Sequence, residues 1–250
     1  NITVKGRLAK KLFEGTSSIN DDNLKLDMSG IIDFNTKTPR FNLLADVNHA
    51  NLRNLHFTRD SIDFRGKLNF NFTSSTIDNF EGEARITDAE ILKNGSPLPF
   101  DSLIVTSSFV DSVKTLSAVS NEFTASVKGD YSLAELPDAF TYFLSRYYPA
   151  YIKAPAKLPR NQNIRFDINT YYVDEYVKLL APGLTGFDNS HFEGTLNLAR
   201  NELNFTADVP QLHFKQYNFD NVKFSAAGNY DSLVLNGKTN NIRINDSLNI

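Results

Sequence analysis

Hydrophobic and polar side chains alternate along most of the chain. The clearest case lies between Ser61 and Ile86, where every second position of two short segments is apolar: Ile62, Phe64, Leu68, Phe70 and Phe72, then Phe80, Ala84 and Ile86. Successive side chains of a β-strand point to opposite faces of the sheet, so this period of two predicts two strands with one apolar face. Glycines occupy apolar positions within both strands, at Gly66 and Gly82.

The same alternation recurs from one end of the chain to the other. Further apolar runs of period two cover residues 2–8, 24–28, 41–47, 103–109, 123–131, 164–168, 192–198, 203–209, 224–230 and 233–237. Clusters of Asn, Asp, Ser and Gly separate these runs and are typical of hairpin turns. The spacing therefore predicts an antiparallel meander.

A short phrase is repeated within this pattern. ADVNHANL (45–52), ARITDAEI (84–91) and ADVPQLHF (207–214) share their order of small, charged and apolar residues, and a polar loop and a new strand follow each. We interpret the phrase as a recurring structural element.

Two segments have the periodicity of helices. Residues 138–148 place apolar side chains three and four positions apart between Pro137 and Pro149, and residues 173–180 repeat this spacing. The proline-containing loop 154–163 separates them. We expect a first β segment over 1–153 and a second over 154–250, which could be continuous with the first.

Composition excludes several functions. The net charge of −3, with acids and bases interleaved, argues against nucleic-acid binding, and the chain has no Cys. No stretch of about 18 apolar residues could span a bilayer, and the chain begins without Met, so we expect an internal segment of a longer protein.

No catalytic or metal-binding signature is present. The histidines (His49, His56, His191 and His213) are scattered over different segments without a ligand spacing, and there is no nucleophile elbow or phosphate-binding loop. The sequence predicts a protein that is not an enzyme and has no metal site and no cofactor.

The predicted sheet is too long for its helices to cover. A dozen strands about 4.8 Å apart extend roughly 55–60 Å, whereas a helix of ten residues is only ~15 Å long. The sheet must therefore fold against itself as a sandwich or barrel, or cover its apolar face with something other than protein. A sheet curled into an open trough would suit acyl chains.

Three segments carry a resemblance to a known family. YFLSRYYPAYIKAPAKLP (142–159), IRFDINTYYVDEYVKLLAPGL (164–184) and FEGTLNLARNELNFTADVP (192–210), with the glycine-centred strands, resemble the TamB and AsmA-like proteins of Gram-negative envelopes. The resemblance implies a mainly β fold, in which a long antiparallel sheet curls into a taco-like open groove with two short helices. It also implies a periplasmic location, an inner-membrane anchor outside this segment and a possible outer-membrane partner protein.

The function that the resemblance implies is phospholipid movement between the two membranes, and the older family label is translocation and assembly of outer-membrane proteins. Exposing an acyl chain to water costs about 0.8 kcal/mol per CH₂, or on the order of 12 kcal/mol for sixteen carbons, and an apolar trough removes most of this cost. The residues expected to line the groove and contact phospholipid acyl chains are Phe64, Phe70, Phe72, Ile86, Val127, Leu196, Leu198, Phe205 and Val209. The glycines expected to bend the sheet are Gly66, Gly82, Gly129, Gly194 and Gly228.

Two alternatives remain open from the residues. The same side chains would form an ordinary closed core in a β-sandwich, which would serve as a binding or adhesion module of the envelope. A transmembrane barrel shares the alternation, but the short apolar runs, the two helices and the lack of Trp argue against it.

Overall fold

The computed structural model describes residues 1–58, 60–74, 76–93, 95–111, 113–181, 183–244 and 248–249. The chain is mainly β, with 62% of its residues in strands, and its long antiparallel sheet is not closed into a barrel. Two short helices, α1 (Leu136–Ser145) and α2 (Asp174–Leu180), and a 3-10 turn over Ile77–Asn79 complete the regular structure. The predicted fold class, a mainly β chain with a long open antiparallel sheet and two short helices, is confirmed.

Most strands are longer than the apolar runs that predict them. They are β1 Ile2–Ala9, β2 Leu12–Asn20, β3 Leu24–Asp33, β4 Arg40–Asn51, β5 Ile62–Thr73, β6 Glu81–Lys93, β7 Ser96–Val110, β8 Val113–Ser120, β9 Phe123–Asp130, β10 Asn163–Thr170, β11 Leu184–Thr185, β12 His191–Asn197, β13 Glu202–Phe214, β14 Tyr217–Gly228, β15 Leu233–Lys238, β16 Asn241–Ile244 and β17 Leu248–Asn249. Helix α1 begins two residues before its predicted start because Pro137 fits in the first turn of a helix.

The chain divides into two compact units. Unit 1 comprises Asn1–Ser108 with Ala118–Asn121, and unit 2 comprises Phe109–Ser117 with the chain from Glu122 onwards. The division therefore runs through β7 and β8, and not through the loop 154–163 where the sequence places it. A loop rich in proline marks a break in regular structure, but β9 and β10 on its two sides pair with each other across it.

Unit 1 is an antiparallel meander in which each strand from β1 to β7 pairs with the next. In β2, β3 and the first half of β4, every second side chain is half-buried or buried and the others are exposed. This pattern matches the predicted alternation, because the apolar side chains of adjacent strands are in register on one face, as at Leu43 and Phe70 or Leu68 and Ile86.

The repeated phrase marks the positions where regular strand pairing is interrupted. In β4 the register shifts around Asn48, and in β6 it shifts beside Asp88, which has a left-handed φ of 51°. In β13 regular pairing skips Pro210, which has no N–H to donate. Pro210 lies opposite Asn221 of β14, whose φ is 52°. The bulges in β4 and β6 bend the strand and move its apolar positions by one residue. The register of β13 with β14 is unchanged across Pro210, so the three phrases share an interruption of pairing and only the first two share a bulge.

In unit 2 the neighbouring strands pair in the order β9, β10, β12, β13 and β14. Helix α1 lies on the apolar face of this sheet. Ala139 and Phe143 of the helix are buried in a core with Tyr131, Ile164, Leu196, Leu198 and Leu203. The end of α1 is held to the turn before β15, since Arg146 donates to the carbonyl of Tyr230 at 2.9 Å and its guanidinium lies 3.6 Å from that ring.

Gly66 and Gly194 each lie too close to a neighbouring side chain to carry a Cβ of their own, and the neighbours differ. At Gly66 a Cβ would lie 2.9 Å from the Cβ of Ala89, at the point where the registers of both neighbouring strand pairs shift. At Gly194 it would lie 2.7 Å from the ring of Phe166, which crosses over the glycine. Gly194 therefore provides space for an aromatic side chain.

The Gly194→Ala substitution should destabilise the protein by about 1–3 kcal/mol, because the methyl group would overlap both the Phe166 ring and a carbonyl oxygen of β13. Urea unfolding followed by circular dichroism measures this change. Gly237→Ala is the matched control, since its nearest contact is Phe224 at 4.0 Å. Equal stability of the two variants would contradict the packing described for Phe166.

Because Tyr131 is buried, the free energy of unfolding should depend on pH in the alkaline range. Burial raises its pKa from 10.0 to about 12, so between these values the unfolded chain loses the phenol proton while the folded chain keeps it. The free energy of unfolding should therefore fall as the pH rises from 10 to 12, and Tyr131→Phe should reduce this fall. Urea midpoints across this range test it, with the exposed Tyr151→Phe as control; identical slopes for all three proteins would refute it.

Candidate functional site

Alternate side chains of β1 to β7 form one apolar face, here called the apolar face of unit 1. Its half-buried members are Phe13, Leu26, Met28, Phe41, Leu43, Leu68, Phe70, Phe72, Ala84, Ile86, Leu103 and Val105. Six spacings of about 4.8 Å across seven strands give this face a width of roughly 29 Å.

Four phenylalanines cluster on this face. The ring of Phe72 lies 5.0 Å from Phe41 on β4, 5.0 Å from Phe80 before β6 and 6.0 Å from Phe70 on its own strand. These separations are within the range of favourable aromatic contacts. The rings shield one another, and the side chains remain half-buried.

Among the described residues, no α-helix of unit 1 covers this face. Both α1 and α2 belong to unit 2. At the outer strand β1, Ile2, Val4 and Leu8 point to the same face and are 60–73% exposed, whereas Leu196 beneath α1 in unit 2 is 0% exposed. An exposed apolar surface of this kind indicates a binding site for an apolar partner.

Four of the side chains expected to line a groove lie on this surface. Phe70, Phe72 and Ile86 belong to the regular part of the face, and Phe64 lies beyond the bulges on the same face. Sequence reasoning placed Phe41 and Phe80 on strands but did not include them in the lining. Their alternation with polar neighbours was the available signal, but contact with Phe72 depends on strand register.

The remaining expected lining residues lie in unit 2, where the surroundings differ. Leu196 and Leu198 are buried in the core under α1, and Val127 packs against this core. Val209 is also buried, at 4% exposure, and Phe205 forms a row with Phe166 and Phe224 at centroid distances of 6.2 and 6.0 Å. The candidate surface is therefore restricted to unit 1, because α1 occupies the space above Leu196.

The opposite face of unit 1 is polar and carries cross-strand ion pairs. Arg65 contacts Glu90 at 2.9 Å and Lys67 contacts Asp88 at 2.7 Å, which raises the pKa of Lys67 by hydrogen bonding and charge attraction. A depression of about 650 Å³ on this face is lined by polar residues such as Ser18, Ser29 and Arg85 and by the apolar Leu44, and it also borders Met28, Ala45 and Leu68. It lies on the reverse of the predicted apolar lining.

One group of potential metal ligands is brought together in unit 2. A ligand atom from each of Asp167, His191 and Glu193 lies within 4.8 Å of the others, and His191 Nε2 is 3.0 Å from Asp167 Oδ2. The sequence gave no sign of this group, because its members come from two strands whose register is fixed only by pairing of β10 with β12.

Comparisons with known proteins show no relative: no family model, no curated protein and no solved structure matches the chain. Within the described residues, no helix has the length and apolar character needed to cross a membrane.

Replacing phenylalanine by alanine should distinguish the apolar face of unit 2, which α1 covers, from the apolar face of unit 1. Phe143→Ala should cost about 3–5 kcal/mol because it leaves a cavity beneath α1, and Phe70→Ala should cost about 1–2 kcal/mol because its ring is half in water. Urea unfolding measures both. The control is Phe57→Ala, at a side chain 76% exposed. If the Phe70 variant were destabilised as much as the Phe143 variant, the apolar face of unit 1 would be a closed core.

Proposed function

We propose that the chain is a segment of a periplasmic protein that shields phospholipid acyl chains on the apolar face of unit 1 as lipid moves between the inner and outer membranes. The observation that carries the proposal is the half-exposed cluster of Phe41, Phe70, Phe72 and Phe80 on a seven-stranded sheet whose unit has no α-helix in the part that the structure describes. The resemblance to TamB and AsmA-like proteins supports the same function.

The dimensions and chemistry of the face suit an acyl chain. The hydrocarbon core of a bilayer is about 30 Å thick, so one acyl chain fills roughly 15 Å, which is about half the width of this face. Acyl chains form no hydrogen bonds, and the face offers mainly Phe, Leu, Ile, Met and Val side chains. A polar head group would remain in water at the edge of the sheet, where no charge has to be buried.

The alternative function, a sandwich-type binding or adhesion module, requires a second sheet over the apolar face. Within unit 1 the described strands β1 to β7 form one meander, each paired edge to edge with the next. We therefore favour lipid as the material that covers this face, with an anchor in the inner membrane and an outer-membrane partner supplied outside this segment.

Photo-crosslinking tests the proposal. A benzophenone side chain replaces Phe70 or Phe72 on the apolar face, and Asn69 or Asn71 on the opposite face as matched controls from the same strand. The proteins are expressed in the periplasm of a Gram-negative host, irradiated and examined by mass spectrometry for attached phospholipid. We expect lipid on the phenylalanine positions and little on the asparagine positions, because the side chains alternate between faces.

Equal labelling of both faces, or no lipid at Phe70 and Phe72 in a folded protein, would refute the proposal. Crosslinks from Phe70 and Phe72 to a polypeptide alone would support the adhesion or binding module in its place. Circular dichroism of each purified variant establishes that the sheet is intact before the crosslinks are compared.

A further inference from the structure

The group formed by Asp167, His191 and Glu193 lies on the polar face of unit 2, whereas the surface proposed to hold lipid belongs to unit 1. Asp167 is directly opposite Glu193, and His191 is opposite Asn169, in the antiparallel register of β10 and β12. All three side chains therefore point to the same side of the sheet, opposite to Phe166 and Phe192.

Two carboxylates of this group face each other directly across β10 and β12, with Arg165 nearby on the same face of β10. At other cross-strand positions acids commonly face bases, as with Arg65 and Glu90 or Lys223 and Asp208, although Asp27 also faces Asp46. Asp167 instead lies between Ser126 and Glu193, and Glu193 lies between Asp167 and Thr206. Like charges directly opposite one another destabilise a sheet, so this pair favours a bound cation.

Each carboxylate is oriented by a further hydrogen bond. Asn169 donates its amide to Asp167 Oδ1 at 2.8 Å, and Thr206 donates its hydroxyl to Glu193 Oε1 at 3.3 Å. Asp167 Oδ2 is then directed at His191. Glu193 Oε2 takes no part in the bond with Thr206. Hydrogen bonds of this kind commonly orient the carboxylates that bind metal ions.

We propose that Asp167, His191 and Glu193 form a site for a divalent transition metal, for which Zn²⁺ is the best fit. Zinc takes imidazole nitrogen and carboxylate oxygen at about 2.0–2.2 Å, which puts tetrahedral ligand atoms ~3.4 Å apart. The 3.0 Å between His191 Nε2 and Asp167 Oδ2 is already close to this separation, and Glu193 can approach by side-chain rotation. The imidazole ligand disfavours Ca²⁺ and Mg²⁺, which prefer oxygen.

The site is open to solvent and bridges two strands. His191 and Asp167 are 42% and 46% exposed, so water can occupy the fourth position of a bound ion. Because its ligands come from both β10 and β12, the metal joins these two strands in the middle of the sheet of unit 2 and stabilises their pairing.

Zinc titration of the purified chain tests the proposal, by calorimetry at pH 7.5 with ZnCl₂ and by the visible spectrum of added CoCl₂. We expect one ion per chain, a tetrahedral Co²⁺ spectrum and a higher melting temperature with Zn²⁺. His191→Ala and Glu193→Gln should each weaken Zn²⁺ binding at least tenfold and abolish the shift in melting temperature. The exposure of these side chains makes loss of the fold upon substitution unexpected, and circular dichroism checks it.

His49→Ala and Glu202→Gln are the matched controls, since both lie on other strands, and their affinity for Zn²⁺ should stay within twofold of the unaltered chain. Absence of saturable binding would overturn the proposal. So would affinity within twofold in His191→Ala, or a loss in His49→Ala as large as that in His191→Ala, because the ion would then be held elsewhere.

Discussion

The apolar face of an antiparallel sheet has to be removed from water, and the two units differ in how far their own residues cover this face. In unit 2 the helix α1 lies over the sheet and buries Phe143 against Ile164 and Leu196. In unit 1 the rings of Phe41, Phe70, Phe72 and Phe80 contact one another and stay half-exposed. The free energy still available from covering that second face is what makes it a candidate for binding acyl chains.

Bulges aligned across neighbouring strands shape unit 1. The shifts at Asn48 on β4 and beside Asp88 on β6 lie on the two sides of Gly66, where a side chain would meet Ala89. Ala45, Val47, Ala50, Ile62 and Ala89, the most buried apolar side chains of unit 1, all lie near this line. Small residues are needed here because the strands bend and their backbones approach closely.

The polar face follows a different rule from the apolar one. Its exposed ion pairs, such as Lys67 with Asp88, contribute little energy individually but keep opposite charges in register across the strands. Asp167 and Glu193 depart from this rule, as Asp27 and Asp46 do, and here a histidine lies beside the two acids. The cation proposed for this group would offset the charge of the two carboxylates.

The sequence by itself determined most of the strands, their apolar face, the two helices and the repeated phrase at which strand pairing is interrupted. Each of these depends on residues close together in the chain: alternation of period two, the spacing of 138–148 and 173–180, and the phrase at 45–52, 84–91 and 207–214. Local spacing could not show which part of the face α1 covers, so Leu196 and Phe70 had equivalent patterns although one is 0% exposed and the other half-buried. Nor could it bring His191 beside Asp167, because contacts between residues distant in sequence depend on strand register, which only the folded sheet decides.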